Sequence, residues 1–362
     1  MKLIELEMTP KERRAAYHRG EEVDRIPTTL SASETAPPLY GYKMHDYYFN
    51  ADVMVDVESH LAEDFHADNM GIGLGLRTVV EALGTKIAVP ENSVSYIEKP
   101  RINSFEQIAE LSIPDIHKDG RLPIIVEAMK RLQDKYGETR GLGSGLAGPF
   151  TTAAGLIGTE NFLMGMIRDK KGAHALLQFT TDVVVEVSKA LHQELGIGLM
   201  LSEPMGSANL ISKSQFKKFF APYLKQAVER MNRFQGGTGI HICGNTKDRW
   251  EDVVNAGISN FWVDNCESLK ELKELYGQRI GVTGNIPPVD VLWLGTPDDI
   301  DRSIKESLLA AADNPMGFTL SPGCTTPMGT SKENMTAFMN AAATYGKGAK
   351  KGQMPKGLIE FM

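Results

Sequence analysis

From about residue 104 onward, short apolar runs alternate with stretches of helical length and period. The pattern is sharpest in the C-terminal third, where "GIHIC", "NFWVD", "RIGVTGN" and "GFTLSPGC" are each followed by a helical segment. Strands this uniformly apolar are buried on both faces, and strands separated by helices pair in parallel. Two architectures meet that demand, an open doubly wound sheet and a closed barrel. The open dinucleotide-binding sheet carries a glycine fingerprint, but "GLGSGLAG" (141–148) has neither its full spacing nor the acidic residue that follows at a set distance. The alternation therefore predicts an α/β protein, a (β/α)₈ barrel, and a chain of 362 residues suits one such domain over 1–362. A short N-terminal helical and β-hairpin extension, roughly 1–25, precedes it, and the basic, glycine-rich tail "YGKGAKKGQMPKG" and its neighbours, roughly 346–362, read as a loose terminus.

Local signals fill in the elements. Thr9-Pro10-Lys11-Glu12 opens a helix with a cap, a first-turn proline and a glutamate that reaches back. A first strand is expected through "TTLSAS" and a helix near 50–66. A hairpin with Gly84 at its turn is expected in "TVVEALGTKIAV…NSVSYIEKP". Helices are predicted over roughly 123–136, 159–168, 170–194 and 213–234, with strands near 141–145 and 197–202. A net charge of −7 offers no basic face to nucleic acid or to an anionic membrane. The sequence has neither a stretch of about 18 apolar residues nor a charged-then-apolar leader, so a cytoplasmic protein is expected. Its three cysteines, Cys243, Cys266 and Cys324, are too few for a disulfide framework and leave thiols for a metal or for chemistry.

In a barrel, chemistry gathers where strands end and the loops to the helices begin. Those positions hold Ser144, Glu203, His241 with Cys243, Asp264, Asn285 and Cys324. Residues two apart on a strand share a face, so His241 and Cys243 stand side by side. With Cys324 from a later strand they make a candidate zinc set, since zinc takes imidazole nitrogen and thiolate sulfur and a catalytic site leaves one position open. The spacing equally allows a satisfied histidine and cysteines that act as small hydrophobes. Cys266 is either a fourth ligand or a buried bystander. Glu203 is either a solvated loop carboxylate or a contact to substrate or metal. Met164, Met166, Met200 and Met205 read as gap-filling core. His45, His60, His117 and His174 show no partner spacing and read as surface or satisfied residues.

The segments "GPFTTAAGLIGTENF", "GIHICGNT", "VTGNIPPVDVLWLGTPDDI" and "TLSPGCTTPMGTSKENM" resemble the uroporphyrinogen decarboxylase superfamily, and within it most closely the branch that transfers methyl groups between cobamides and thiols. The resemblance spans nearly the whole chain. It implies a (β/α)₈ barrel in which His241, Cys243 and Cys324 hold Zn²⁺. A thiol of ordinary pKa near 8.5 is largely protonated at neutral pH, and coordination to zinc would make it the thiolate that attacks a methyl group on cobalt. The methylcobamide would be carried by a separate corrinoid protein docked over the barrel mouth. The other substrate would be a small methyl donor or acceptor, a coenzyme M-like thiol among them. The same map assigns Glu203 and Asp264 to catalysis and Ser144 and Asn285 to cofactor contact. Decarboxylases of this superfamily hold a polycarboxylate with arginines after the first strand, but "TTLSASETAPPLYGY" (28–42) has neither Arg nor Lys. Decarboxylation, and a non-catalytic role in which zinc only stiffens the barrel, are the competing readings.

Overall fold

The structure is a computed structural model that describes residues 2–361. Six strands form one parallel sheet in sequence order: β3 (Gly143–Ala147), β4 (Gly198–Ser202), β5 (Gly239–Ile242), β6 (Asn260–Val263), β7 (Gly281–Ile286) and β8 (Phe318–Pro322). Two irregular segments complete the ring between β8 and β3. Thr29 donates to the Leu320 carbonyl and Leu320 to that of Pro27, both at 2.9 Å. On the other side Gly143 donates to Met70 (3.0 Å), Leu74 to Gly145 (2.8 Å) and Ala147 to Gly75 (3.1 Å). Asp68 donates to the Thr28 carbonyl at 2.9 Å and joins the two segments. The "TTLSAS" stretch thus occupies the first ring position but forms only a bridge, Thr28 to Leu320, and no regular strand. Its partner segment is interrupted by Gly71, Gly73 and Gly75, residues that strands disfavour.

The crossovers follow from local sequence. Helices α1 (Pro10–His18), α2 (Ala51–Phe65), α3 (Leu122–Tyr136), α4 (Pro149–Ile157), α5 (Thr159–Arg168) and α6 (Lys170–Leu195) lie in the first half. Thr9 and Glu12 form the expected capping box on α1. The stretch expected as one helix over 213–234 is broken: a short helix (Lys213–Gln215) runs into a π-helical turn (Phe216–Phe220) before α7 (Ala221–Gln235). Pro222 explains the break, because its missing N–H cannot continue the helical ladder. After it come α8 (Trp250–Asn255), α9 (Leu269–Tyr276), α10 (Pro297–Ala311) and α11 (Lys332–Tyr345). Outward residues of the strands, among them Leu199, Leu201, Ile240, Phe261, Val282 and Leu320, are buried against these helices.

Three local expectations fail. Gly84, with φ +96°, ends the five-residue helix Thr78–Ala82 and does not turn a hairpin. The hairpin pairs β1 (Lys86–Ala88) with β2 (Tyr96–Lys99) and lies after the second ring segment, not at the N terminus. The tail is not loose either. Ala349 bridges to Val23, Lys356 Nζ pairs with Glu22 at 2.7 Å, and Ala349 and Leu358 are buried.

Helix α1 covers the end of the barrel where the strands begin: Lys11 donates to the Thr139 carbonyl at 3.0 Å, and Tyr17 Oη accepts from Phe318 N at 3.0 Å. A buried charge cluster anchors it. Arg13 pairs with Asp24 at 2.6 Å and with Asp68, while Arg25 reaches Asp68 at 2.6 Å and Thr28 N donates to the same carboxylate at 2.8 Å. Barrel interiors are ordinarily filled by branched apolar side chains. Here the inward positions include Gly143, Gly145, Gly198, Met200, Gly281 and Thr283, and a lumen of about 810 Å³ remains between the floor and the mouth. Met200 therefore lines this space and is not gap-filling core.

Candidate metal centre

His241 is the third residue of β5 and is buried, Cys243 lies one residue beyond that strand, and Cys324 lies two beyond β8. The register of the closed ring brings these two loops together across the mouth. His241 Nε2 is 3.1 Å from Cys243 Sγ, Cys243 Sγ is 3.7 Å from Cys324 Sγ, and the three donor atoms all lie within 4.8 Å of one another. Tetrahedral zinc, with Zn–S of about 2.3 Å and Zn–N of about 2.0 Å, places two sulfurs about 3.8 Å apart and sulfur and nitrogen about 3.5 Å apart. The residues fit a zinc ion. His241 Nδ1 is 2.9 Å from the Trp262 carbonyl, which holds the proton on Nδ1 and leaves the Nε2 lone pair facing the sulfurs. The Trp262 ring also packs on the imidazole, with centroids 4.3 Å apart. Without a metal, the hydrogen bond between the two thiols pushes Cys243 up and holds Cys324 down, so one proton is retained between them.

The loop after β5 is fixed by carboxylates from the loop after β6. Gly244 has φ +69°, and a Cβ there would lie 2.6 Å from Asn209 Oδ1, so glycine is required. Its N–H donates to Asp264 Oδ2 at 2.8 Å, while Asp264 Oδ1 accepts from Cys266 N at 3.2 Å. Glu267 accepts from Thr246 N, from Thr246 Oγ1 at 2.9 Å and from Lys247 N at 2.9 Å. Asn285 donates through Nδ2 to the carbonyls of Asp264 (3.0 Å) and Glu267 (2.7 Å). Asp264 and Asn285 thus stand beside the candidate ligands, Asp264 accepting from two backbone N–H groups and Asn285 donating to two backbone carbonyls.

Other candidates lie elsewhere. Cys266 is exposed and outside the ligand triangle, neither buried nor a member of it. Ser144 Oγ donates to the Ile72 carbonyl at 2.7 Å and lines the lumen wall. Glu203 does not face the open mouth. It is 1 % exposed and accepts from Phe150 N (3.0 Å), Thr151 N (2.8 Å) and Thr151 Oγ1 (2.6 Å), at the first turn of α4. A Cβ on Gly148 would lie 2.3 Å from its Oε1, so that glycine makes room for the carboxylate. Burial pushes Glu203 up to about 7 against the pull of these donors. Glu267, Trp262 and Glu34 were missed by the sequence reading; Glu34 had a signal, as the lone charge in residues 28–42.

The chain is similar to known proteins over nearly its whole length. Residues 9–345 match the uroporphyrinogen decarboxylase (URO-D) family. The methylcobamide:CoM methyltransferase MtbA of Methanosarcina acetivorans is 28% identical over 344 residues, 94% of this chain and 99% of that protein. The uroporphyrinogen decarboxylase of Parasynechococcus marenigrum is 23% identical, over 89% of this chain and 93% of its own length. Among solved structures, a methyltransferase from Methanosarcina mazei superposes with a TM-score of 0.81 at 25% identity, covering 93% of this chain and 98% of that one. A family match that runs from the first helix cap to the last residue of α11 takes in the whole ring and every metal-ligand candidate: the chain belongs to the uroporphyrinogen decarboxylase family.

Proposed function

We propose that this methyltransferase moves a methyl group between the cobalt of a corrinoid carried on a partner protein and a small thiol, using a zinc ion held by His241, Cys243 and Cys324. The observation that carries the reading is the N, S, S triangle at the barrel mouth, with a Sγ–Sγ edge of 3.7 Å. Three protein donors leave a fourth position for substrate. When bound there, zinc supplies acidity, so that a thiol is presented as thiolate at neutral pH. The chain's own residues supply orientation. The Trp262 carbonyl holds His241 in one tautomer, and Asp264 and Glu267 hold the loop that carries Cys243. Among the described residues no helix is long and apolar enough to cross a membrane, in keeping with a partner met in solution. The decarboxylase reading lacks support from charge: a polycarboxylate would meet Glu34, and no cation, in the loop after the first ring segment.

The test is anaerobic demethylation of methylcobalamin by zinc-loaded protein against a panel of thiols and tetrahydrofolate. Thiol-dependent formation of cobalt(I), abolished in Cys243→Ala, is expected. Full zinc occupancy with no turnover on any acceptor would refute the reading.

A further inference from the structure

The lumen runs up to the loop that carries Cys324, where Thr325 lines it although none of the three candidate ligands does, and its charges are few. Besides Tyr17, four titratable side chains line it: Arg14 and His18 at the floor, Asp68, and Glu34 at the mouth. Asp68 is neutralised by Arg13 and Arg25. Glu34 forms no ion pair among the described residues. Its loop is tied to the loop of a metal ligand: Thr326, two residues after Cys324, donates to the Ser31 carbonyl at 3.0 Å, and its own carbonyl accepts from Thr35 Oγ1 at 2.7 Å. Thr325 lines the same cavity.

Glu34 is held in place at one oxygen and free at the other. Oε1 accepts from Tyr48 Oη, which is buried and in turn accepts from Ser95 Oγ at 3.2 Å. The Arg121 guanidinium stacks 4.0 Å from the Tyr48 ring centroid and pairs with Glu81 at 3.2 Å. Oε2 lies 3.4 Å from where a Cβ on Gly75 would stand, in van der Waals reach, and both residues line the lumen. Among the described residues that line the cavity, Glu34 is the acid without an ion pair, and at the end opposite Arg14 and His18 a positioned carboxylate attracts a cation and repels an anion, more strongly in a confined space than at an open surface.

We propose that Glu34 sets substrate specificity, making the pocket beside the metal centre a site for a small thiol that carries a cationic nitrogen and excluding anionic thiols such as sulfonates. The proposal rests on the thiol-methyltransferase reading above and names the substrate class of that site. The nitrogen would donate to Glu34 Oε2 while the sulfur faces His241, Cys243 and Cys324.

Three thiols of equal chain length separate charge from fit: 2-aminoethanethiol, 2-mercaptoethanol and 2-mercaptoethanesulfonate. Calorimetric binding to the zinc-loaded protein at pH 7 is expected to favour the amine over the sulfonate by at least about tenfold, with the alcohol between, since like charges in contact are strongly penalised. Added salt narrows that range by screening. Glu34→Gln brings the three affinities within about threefold of one another, and Glu34→Asp keeps the order, each change roughly a tenfold step or less in binding. A wild-type protein that binds the sulfonate as tightly as the amine overturns the proposal. So does a Glu34→Gln protein that keeps the wild-type ratio, or the absence of measurable binding by the amine. Methyl transfer to the same three compounds is read separately. Binding in the expected order with no methylation of any of them leaves the charge assignment standing and refutes the methyl-transfer reading, whereas methylation with the reverse order does the opposite.

Discussion

Replacing Glu203 with glutamine tests whether burial or hydrogen bonding governs this carboxylate. The group sits at 1 % exposure with three donors around it, and its pKa is raised from 4.5 to about 7. A carboxyl whose pKa is higher in the folded than in the unfolded chain binds its proton more tightly when folded. The stability it contributes is fully present below pH 4.5 and is lost as pH rises through about 7. That gap corresponds to about 3 kcal/mol. Glutamine is neutral but has one donor and one acceptor end, so either Phe150 N or Thr151 N loses its acceptor. At pH 5, Glu203→Gln should therefore cost about 1–3 kcal/mol relative to wild type. At pH 8 that deficit should shrink by up to about 3 kcal/mol, because the wild type alone loses stability as Glu203 ionises. Urea unfolding followed by circular dichroism at the two pH values measures the difference. A variant destabilised at both, and more so at pH 8, would show that the three donors and the first turn of α4 dominate and that the carboxylate is ionised in the native protein. Glu203→Ala serves as control, since it strands two backbone N–H groups and should cost about 2–4 kcal/mol at either pH.

Metal content should divide the cysteines: about one zinc per chain in wild type and Cys266→Ala, and little or none in Cys243→Ala or Cys324→Ala, by plasma emission spectrometry. Asp264→Asn keeps only one good acceptor for the two N–H groups of Gly244 and Cys266, so methyl transfer should fall about 10- to 100-fold while zinc stays bound. Asp68→Ala leaves Arg13 and Arg25 buried without their shared partner and should cost about 3–5 kcal/mol in urea unfolding. Leu358→Ala, at a residue 2 % exposed in the docked tail, should cost about 2–5 kcal/mol, and a loss near zero would mean that the tail detaches in solution.

The barrel's catalytic half was legible because the chemistry sits at strand ends, and strand ends can be read from where an apolar run stops. Strand ends and the parity of a strand made His241, Cys243 and Cys324 a candidate set with Cys266 left open, and the family resemblance implied the three together. What the sequence hid depends on distant partners. "TTLSAS" fills a ring position without being a strand because its hydrogen bonds go to β8, almost three hundred residues on. The tail reads as loose by composition, yet Ala349 and Leu358 find their contacts at the N-terminal segment and under α11. Glu203 reads as a mouth residue from its strand-end position; that it turns to the first turn of α4 depends on the missing side chain of Gly148. Gly84 is the opposite case, a local signal correctly read as a turn and attached to the wrong element.

The bare walls of the lumen make the pocket unusually easy to reshape in small steps. A Cβ at Gly198 would meet nothing within 4 Å, and at Gly143 or Gly239 its nearest neighbour would be 3.6 Å away, none of them in a left-handed conformation. Each can therefore accept a methyl group, or more, without disturbing the outer shell of helices or the ring's hydrogen bonds. A lineage with this scaffold can shorten or narrow its pocket by adding carbon from inside, one position at a time. Substrate size can then drift while the metal triangle and the fold's stability remain fixed.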